Sequence, residues 1–255
     1  MMEKKKRSIN LEIKAFFQMH NISIYGVANT KDQSRYQECK VPQQILEDAN
    51  SVICYGIPIP KGIIYAKSEN LLQYWRYCNI QYRTLDSITN ELCLFFETFK
   101  CLAAPIYSCF PWSIKNREFW GTLPLVYWAE EAGLGRLSKC GLLITPQLGT
   151  RILLGGIITT LRLEPDSKIE EEICPQECVE CIDVCPVNAI GKNGKVDHNT
   201  CLRYSGNNPL LALAINNQTI KETIPFETLI NTIGVDDHGL YTCIECIKAC
   251  PLNRA

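Results

Sequence analysis

The chain has 255 residues, a formal net charge of −1 and an ordinary hydrophobic share of 46%. That length holds one large domain, or a moderate one with a small companion. Near-zero charge advertises no basic face, so nucleic acid is not expected as a partner. No run of about eighteen apolar residues occurs, so no membrane span is expected. The basic opening MMEKKKRS leads into charged–apolar alternation rather than a signal-peptide core, and a cytoplasmic protein is expected.

Residues 9–18 read as a helix with Leu11, Ile13, Phe16 and Phe17 as its apolar stripe, and residues 22–27 as a strand. A polar loop covers 31–40, and 42–48 read as helical with Pro42 in the first turn. The run SVICYGIPI, 51–59, is apolar and β-branched and predicts a buried strand. From 69 to 100 the period is helical, with Leu85, Ile88, Leu92, Phe95, Phe96 and Phe99 on one face. This is one long helix, or two in series with Asp86 or Ser87 starting the second. Residues 105–120, PIYSCFPWSIKNREFW, break the pattern: they are aromatic, proline-bearing and charged. Residues 123–132 predict a helix that Gly133 caps. Residues 141–145 and 151–161 predict an antiparallel hairpin joined by PQLG, and the charged stretch 164–172 a linker.

The last third carries the chemistry. The segment ICPQECVECIDVCPVNAI holds Cys174, Cys178, Cys181 and Cys185, and YTCIECIKACPLN holds Cys243, Cys246 and Cys250, with Cys201 alone between them. Pro186 and Pro251 follow the last cysteine of each run. Eight thiolates with two Cys-Pro endings are the ligand complement of two 4Fe–4S clusters. In that pattern the cysteine before proline ligates the other cluster. Cys174, Cys178, Cys181 and Cys250 then hold one cluster, and Cys185, Cys201, Cys243 and Cys246 the second. Three residues separate Cys174 from Cys178 where the usual run has two, so that loop must bulge by one residue. Zinc also uses C-x-x-C pairs, but it does not call for Cys-Pro endings or for the apolar Ile182, Val184, Val187 and Ile190 that would wall a cluster from water. The remaining cysteines are scattered, and each reads as a small buried hydrophobe in a reducing compartment. Beside oxygen-labile clusters, so many thiols point to an anaerobe.

The order of features in AEEAGLGRLSKCGLLITPQLGTRILLGGIITTLRLEPD, 129–166, followed by the cysteine runs and TCLRY around Cys201, resembles the epoxyqueuosine reductase and reductive dehalogenase superfamily. The resemblance implies an α+β protein: a nitroreductase-like α/β domain over 1–165, then a bacterial-ferredoxin-like two-cluster domain over 166–255. It implies cobalamin or another corrinoid near one cluster, with FMN the less favoured occupant of the same pocket. Gly133, Gly135, Arg136, Thr145, Gly149 and Arg151 are the candidate cofactor contacts. The glycines would allow backbone to approach a flat macrocycle, although a helix cap and a tight turn would use them equally well. Epoxyqueuosine reductases carry an aspartate in an Asp-Ser-x-Pro-like stretch before the Gly-Leu-Gly helix. Residues 105–125 here contain none, and Tyr107 and Lys115 are the candidate proton donors. Respiratory reductive dehalogenases carry an export signal that this chain does not show.

Three functions follow. The first is a reductase relaying single electrons from a ferredoxin- or flavodoxin-like donor through two clusters to a corrinoid and a substrate. The second is an electron-transfer protein that reactivates the cobalt of a partner corrinoid protein, which the missing aspartate and short length favour. The third is an epoxyqueuosine reductase acting on tRNA, which the missing aspartate and neutral charge oppose.

Overall fold

In the computed structural model the residues described are 2–31, 41–108, 112–115, 118–207, 240–241 and 243–254. The core is a four-stranded antiparallel sheet in the order β1-β2-β8-β3, formed by Ile24–Asn29, Ser51–Pro58, Ile152–Thr159 and Ala103–Ile106. β2 and β8 lie in the middle because their residues are apolar on both sides. Val52, Ile53, Cys54, Tyr55, Ile157 and Ile158 are all fully buried. β3 sits at an edge, where Pro105 removes no ladder donor that a neighbour needs.

Helices α1 (Met2–Met19) and α3 (Asn70–Glu97) cover one face of the sheet, with the short α2 (Lys61–Tyr65) leading into α3. α1 begins earlier than its apolar pattern predicts. Its buried stripe is Ile9, Ile13, Phe16 and Phe17, at i, i+4, i+7 and i+8, while Leu11 is 62% exposed. The helical period from 69 resolves as one continuous helix. Residues 42–48 make only a 3₁₀ turn, Pro42–Gln44.

α4 (Leu125–Glu131) covers the other face with the buried Trp128, Ala129 and Ala132. Gly133 caps it at φ +74°. The Leu134 amide bonds to Ala129 O at 2.9 Å and the Gly133 amide to Glu130 O at 3.0 Å, the paired pattern of a Schellman cap.

The predicted hairpin is not the one formed. β7 (Leu143–Ile144) turns back on β6 (Arg136–Leu137), whereas β8 enters the sheet between β2 and β3. A strand buried throughout needs a neighbour on each side, and a two-stranded hairpin offers one. The PQLG segment remains a tight turn, closed by paired bonds between Thr145 and Gly149 at 2.8 and 3.0 Å. The 105–120 stretch contains another small hairpin, β4 (Trp112–Lys115) with β5 (Glu118–Gly121).

The linker lies along the outer edge of β1. Asp166 accepts the Val27 amide at 2.8 Å and returns a bond to Val27 O at 2.9 Å. Beyond it come α5 (Glu180–Asp183), α6 (His198–Ser205), the pair β9 (Gly206–Asn207) and β10 (Leu240–Tyr241), and α7 (Glu245–Ala249). Packing is continuous across the linker: Ile244 and Ile247 join the α1–α3 core. No helix among the described residues is long and apolar enough to cross a membrane.

Candidate iron–sulfur centre

The seven cysteines of the two runs, and Cys201 between them, are carried by short helices and turns rather than long elements. Cys174 and Cys178 sit in an exposed loop closed by the Cys178 amide on Pro175 O at 3.0 Å. Cys181 stands in α5 and Cys185 just after it. The Ala189 amide donates to the Cys185 sulfur at 3.2 Å, a bond that stabilises a thiolate. Cys201 is placed by α6, whose first turn Asp197 caps through the Thr200 amide at 3.0 Å. Cys243 precedes α7, Cys246 is in it, and Cys250 ends it before the 3₁₀ turn Pro251–Asn253.

Several of these thiols lie within electrostatic reach of one another. Cys181 lies within electrostatic reach of Cys174 and Cys178, and Cys250 within reach of Cys174. Cys201 feels Cys185 and Cys243, and Cys246 feels Cys201 and Cys243. Burial raises the pKa of Cys201, Cys243 and Cys250, and nearby thiols add to it. For Cys181 and Cys246 the contact with Cys140 is the larger cause and burial the next. Cys140, outside both runs, lies against one cysteine of each group and close to Ser138 Oγ at 3.2 Å. Buried thiols that push one another toward neutrality favour a cationic centre that would hold them as thiolates. Among the described residues no three His, Cys, Asp or Glu side chains converge as a single ion requires. A four-iron cluster spreads its thiolates around a wider body. Ile182, Ile190, Val196, Ile244 and Ile247 supply apolar walls, whereas Val184, expected among them, is 38% exposed.

The six candidate cofactor contacts are engaged within the chain. A Cβ at Gly133 would strike the Ser167 carbonyl, one at Gly135 the Ile144 carbonyl, and one at Gly149 the Asn253 side chain. Their close approaches are therefore to linker, β7 and C-terminal turn. Arg136 pairs with Glu130 at 3.1 Å and reaches Ile169 O at 2.8 Å. Thr145 Oγ1 accepts the Leu148 amide at 3.0 Å, and the buried Arg151 donates to Ile59 O at 2.6 Å.

Of the two candidate proton donors, Tyr107 donates its hydroxyl to Asn90 of α3 at 2.9 Å. Lys115 lies in β4, and its side chain is outside the described set. A further carboxyl stands here. Asp86, one turn before Asn90, accepts the Ser108 amide at 3.1 Å, where the 105–120 stretch leaves β3. Burial raises its pKa, with the Ser108 bonds opposing. In the sequence Asp86 reads only as a helix start, because the contact with Ser108 joins residues 22 apart and leaves no local pattern.

Residues 174–253 match the 4Fe–4S double cluster binding domain. The epoxyqueuosine reductase of Listeria monocytogenes is 34% identical over 223 residues, which are 86% of this chain and 52% of that one. A crystal structure of epoxyqueuosine reductase with an epoxyqueuosine-modified tRNA-Tyr stem loop superposes with a TM-score of 0.62 at 18% identity, over 98% of this chain and 66% of that one. A reductive dehalogenase reported to suggest a mechanism for B12-dependent dehalogenation superposes with a TM-score of 0.57 at 19% identity, over 76% of this chain and 28% of that one. The chain thus resembles epoxyqueuosine reductases in sequence, shares its fold with them and with a reductive dehalogenase, and spans about half the length of its sequence relative.

Proposed function

We propose that this chain is an iron–sulfur reductase of the epoxyqueuosine reductase type, acting on an epoxyqueuosine-bearing tRNA. One observation carries the reading: the eight-cysteine array, matching a double cluster domain, on a chain whose sequence likeness to an epoxyqueuosine reductase spans both halves. Cys174, Cys178, Cys181 and Cys250 would hold one cluster and the other four the second. When bound, the clusters supply one-electron transfer at low potential. Neutral net charge weighs little against tRNA, because a footprint is local while net charge is a sum over the whole surface.

A corrinoid is the finer part of the proposal. The B12-dependent dehalogenase neighbour supports it. The six contacts expected from sequence support it less, since each serves the chain's own packing. Asp86 is the proposed proton source in place of the absent loop aspartate, with Asn90 and Tyr107 fixing the start of the loop beside it. A raised pKa keeps it protonated to higher pH than an exposed carboxyl. Reduction should therefore fall as pH rises through that pKa. Asp86→Asn should lower the rate about 100-fold, as for loss of a general acid, and remove that alkaline limb. An unchanged pH profile in the variant would rule Asp86 out.

The missing loop aspartate favours a second reading, electron delivery to a partner corrinoid protein. Anaerobic purification tests both. Iron and sulfide should each come to about eight per chain, and a reduced ferredoxin- or flavodoxin-like donor should drive loss of the epoxide from a modified stem loop, read by mass. A colourless, zinc-loaded protein would overturn the cluster reading. Iron-loaded protein that leaves the stem loop unchanged would favour electron delivery.

A further inference from the structure

The turn between β6 and β7 sends one side chain into the first cysteine run. The half-buried Lys139 donates from Nζ to Pro175 O at 3.0 Å, to Cys178 O at 2.8 Å and to Gln176 O. Three backbone carbonyls satisfy the three donors of one ammonium. They belong to the loop between Cys174 and Cys178, the one with an extra residue. Pro175, Gln176 and Glu177 are exposed, so the loop has little packing of its own.

Peptide geometry adds a consequence. In a trans peptide the carbonyl of one residue and the amide of the next point in opposite directions. Gathering the carbonyls of 175, 176 and 178 on Lys139 turns the amides of Gln176, Glu177 and Val179 to the far side of the loop. Successive amides turned to one side make a concavity for an anionic group, as at many iron–sulfur sites.

We propose that Lys139 is a positioning residue for the cluster held by Cys174, Cys178, Cys181 and Cys250: it shapes the bulged loop and places a positive charge behind it. The proposal rests on the cluster reading above and deepens it. Because Lys139 belongs to the segment that follows α4, occupancy of that cluster depends on a residue outside the cysteine runs. The charge also raises the reduction potential of the neighbouring cluster, since hydrogen bonding and local charge set cluster potentials.

Lys139→Met and Lys139→Arg, purified anaerobically as full chains, test this. Wild type should carry about eight irons and Lys139→Met about four. The residual EPR signal of reduced Lys139→Met should match that of Cys178→Ser and differ from that of Cys243→Ser. Retention of both clusters with the first at a lower potential would also support the assignment. Lys139→Arg, which keeps charge and donors, should restore most of the iron. Full iron at unchanged potentials in Lys139→Met, or loss of both clusters together, would overturn it. Wild-type protein without iron would instead sink the underlying cluster reading.

Discussion

Cys250→Ser should empty the cluster built on Cys174, Cys178 and Cys181 and leave its partner loaded. Cys250 stands 65 residues beyond Cys185, yet its thiol lies near Cys174. The reciprocal change, Cys185→Ser, should empty the set formed with Cys201, Cys243 and Cys246. Each variant should keep about four of about eight irons, and the two residual EPR spectra should differ. A sequential arrangement, in which each run fills its own cluster, predicts the opposite pairing: Cys250→Ser would then share its spectrum with Cys243→Ser. The same crossing means that cutting the chain before Cys243 should damage both clusters at once.

The second large effect is expected at Asn253. Its side chain is fully buried three residues after Cys250. It accepts the Thr150 amide at 2.8 Å and donates to Thr150 Oγ1 at 2.9 Å and Ile247 O at 2.6 Å. This amide ties the end of α7 to the turn at the head of β8, and Gly149 is a glycine because a side chain there would collide with it. Asn253→Ala leaves a buried amide and a buried carbonyl without partners. Each such group costs about 1–3 kcal/mol, so a loss of about 3 kcal/mol is expected. For a chain of this size that lowers the melting midpoint by roughly 6–12 °C. Thermal unfolding of the iron-loaded protein, followed by circular dichroism, measures it. A midpoint within about a degree of wild type, against that expected shift, would show that the turn is held by something else.

Much of the molecule was legible in the chain because the signals are local. Cluster ligands come at short, fixed spacings, so the two cysteine runs and their fit to the double cluster domain were readable without a fold. The long helical period of α3 and the glycine cap of α4 depend on neighbours three to five residues away, and both stand where expected. The choice of strand partner for β8 is not local, and the expected hairpin failed there. An apolar run states that a strand is buried, not which two strands bury it.

The glycines teach the same lesson. Sequence shows that Gly133, Gly135 and Gly149 admit a close approach, and only the fold shows that linker, β7 and Asn253 make it. Asp86 meets the loop 22 residues away, and Lys139 meets carbonyls 36 to 39 residues away. Neither contact leaves a periodic or spaced trace. Spacing determined that this chain carries a two-cluster ligand set, and the family resemblance implied its α+β frame. Tertiary structure decided which distant residues hold that set in place, because hydrogen bonds and packing across the chain obey proximity in space and leave no period in the sequence.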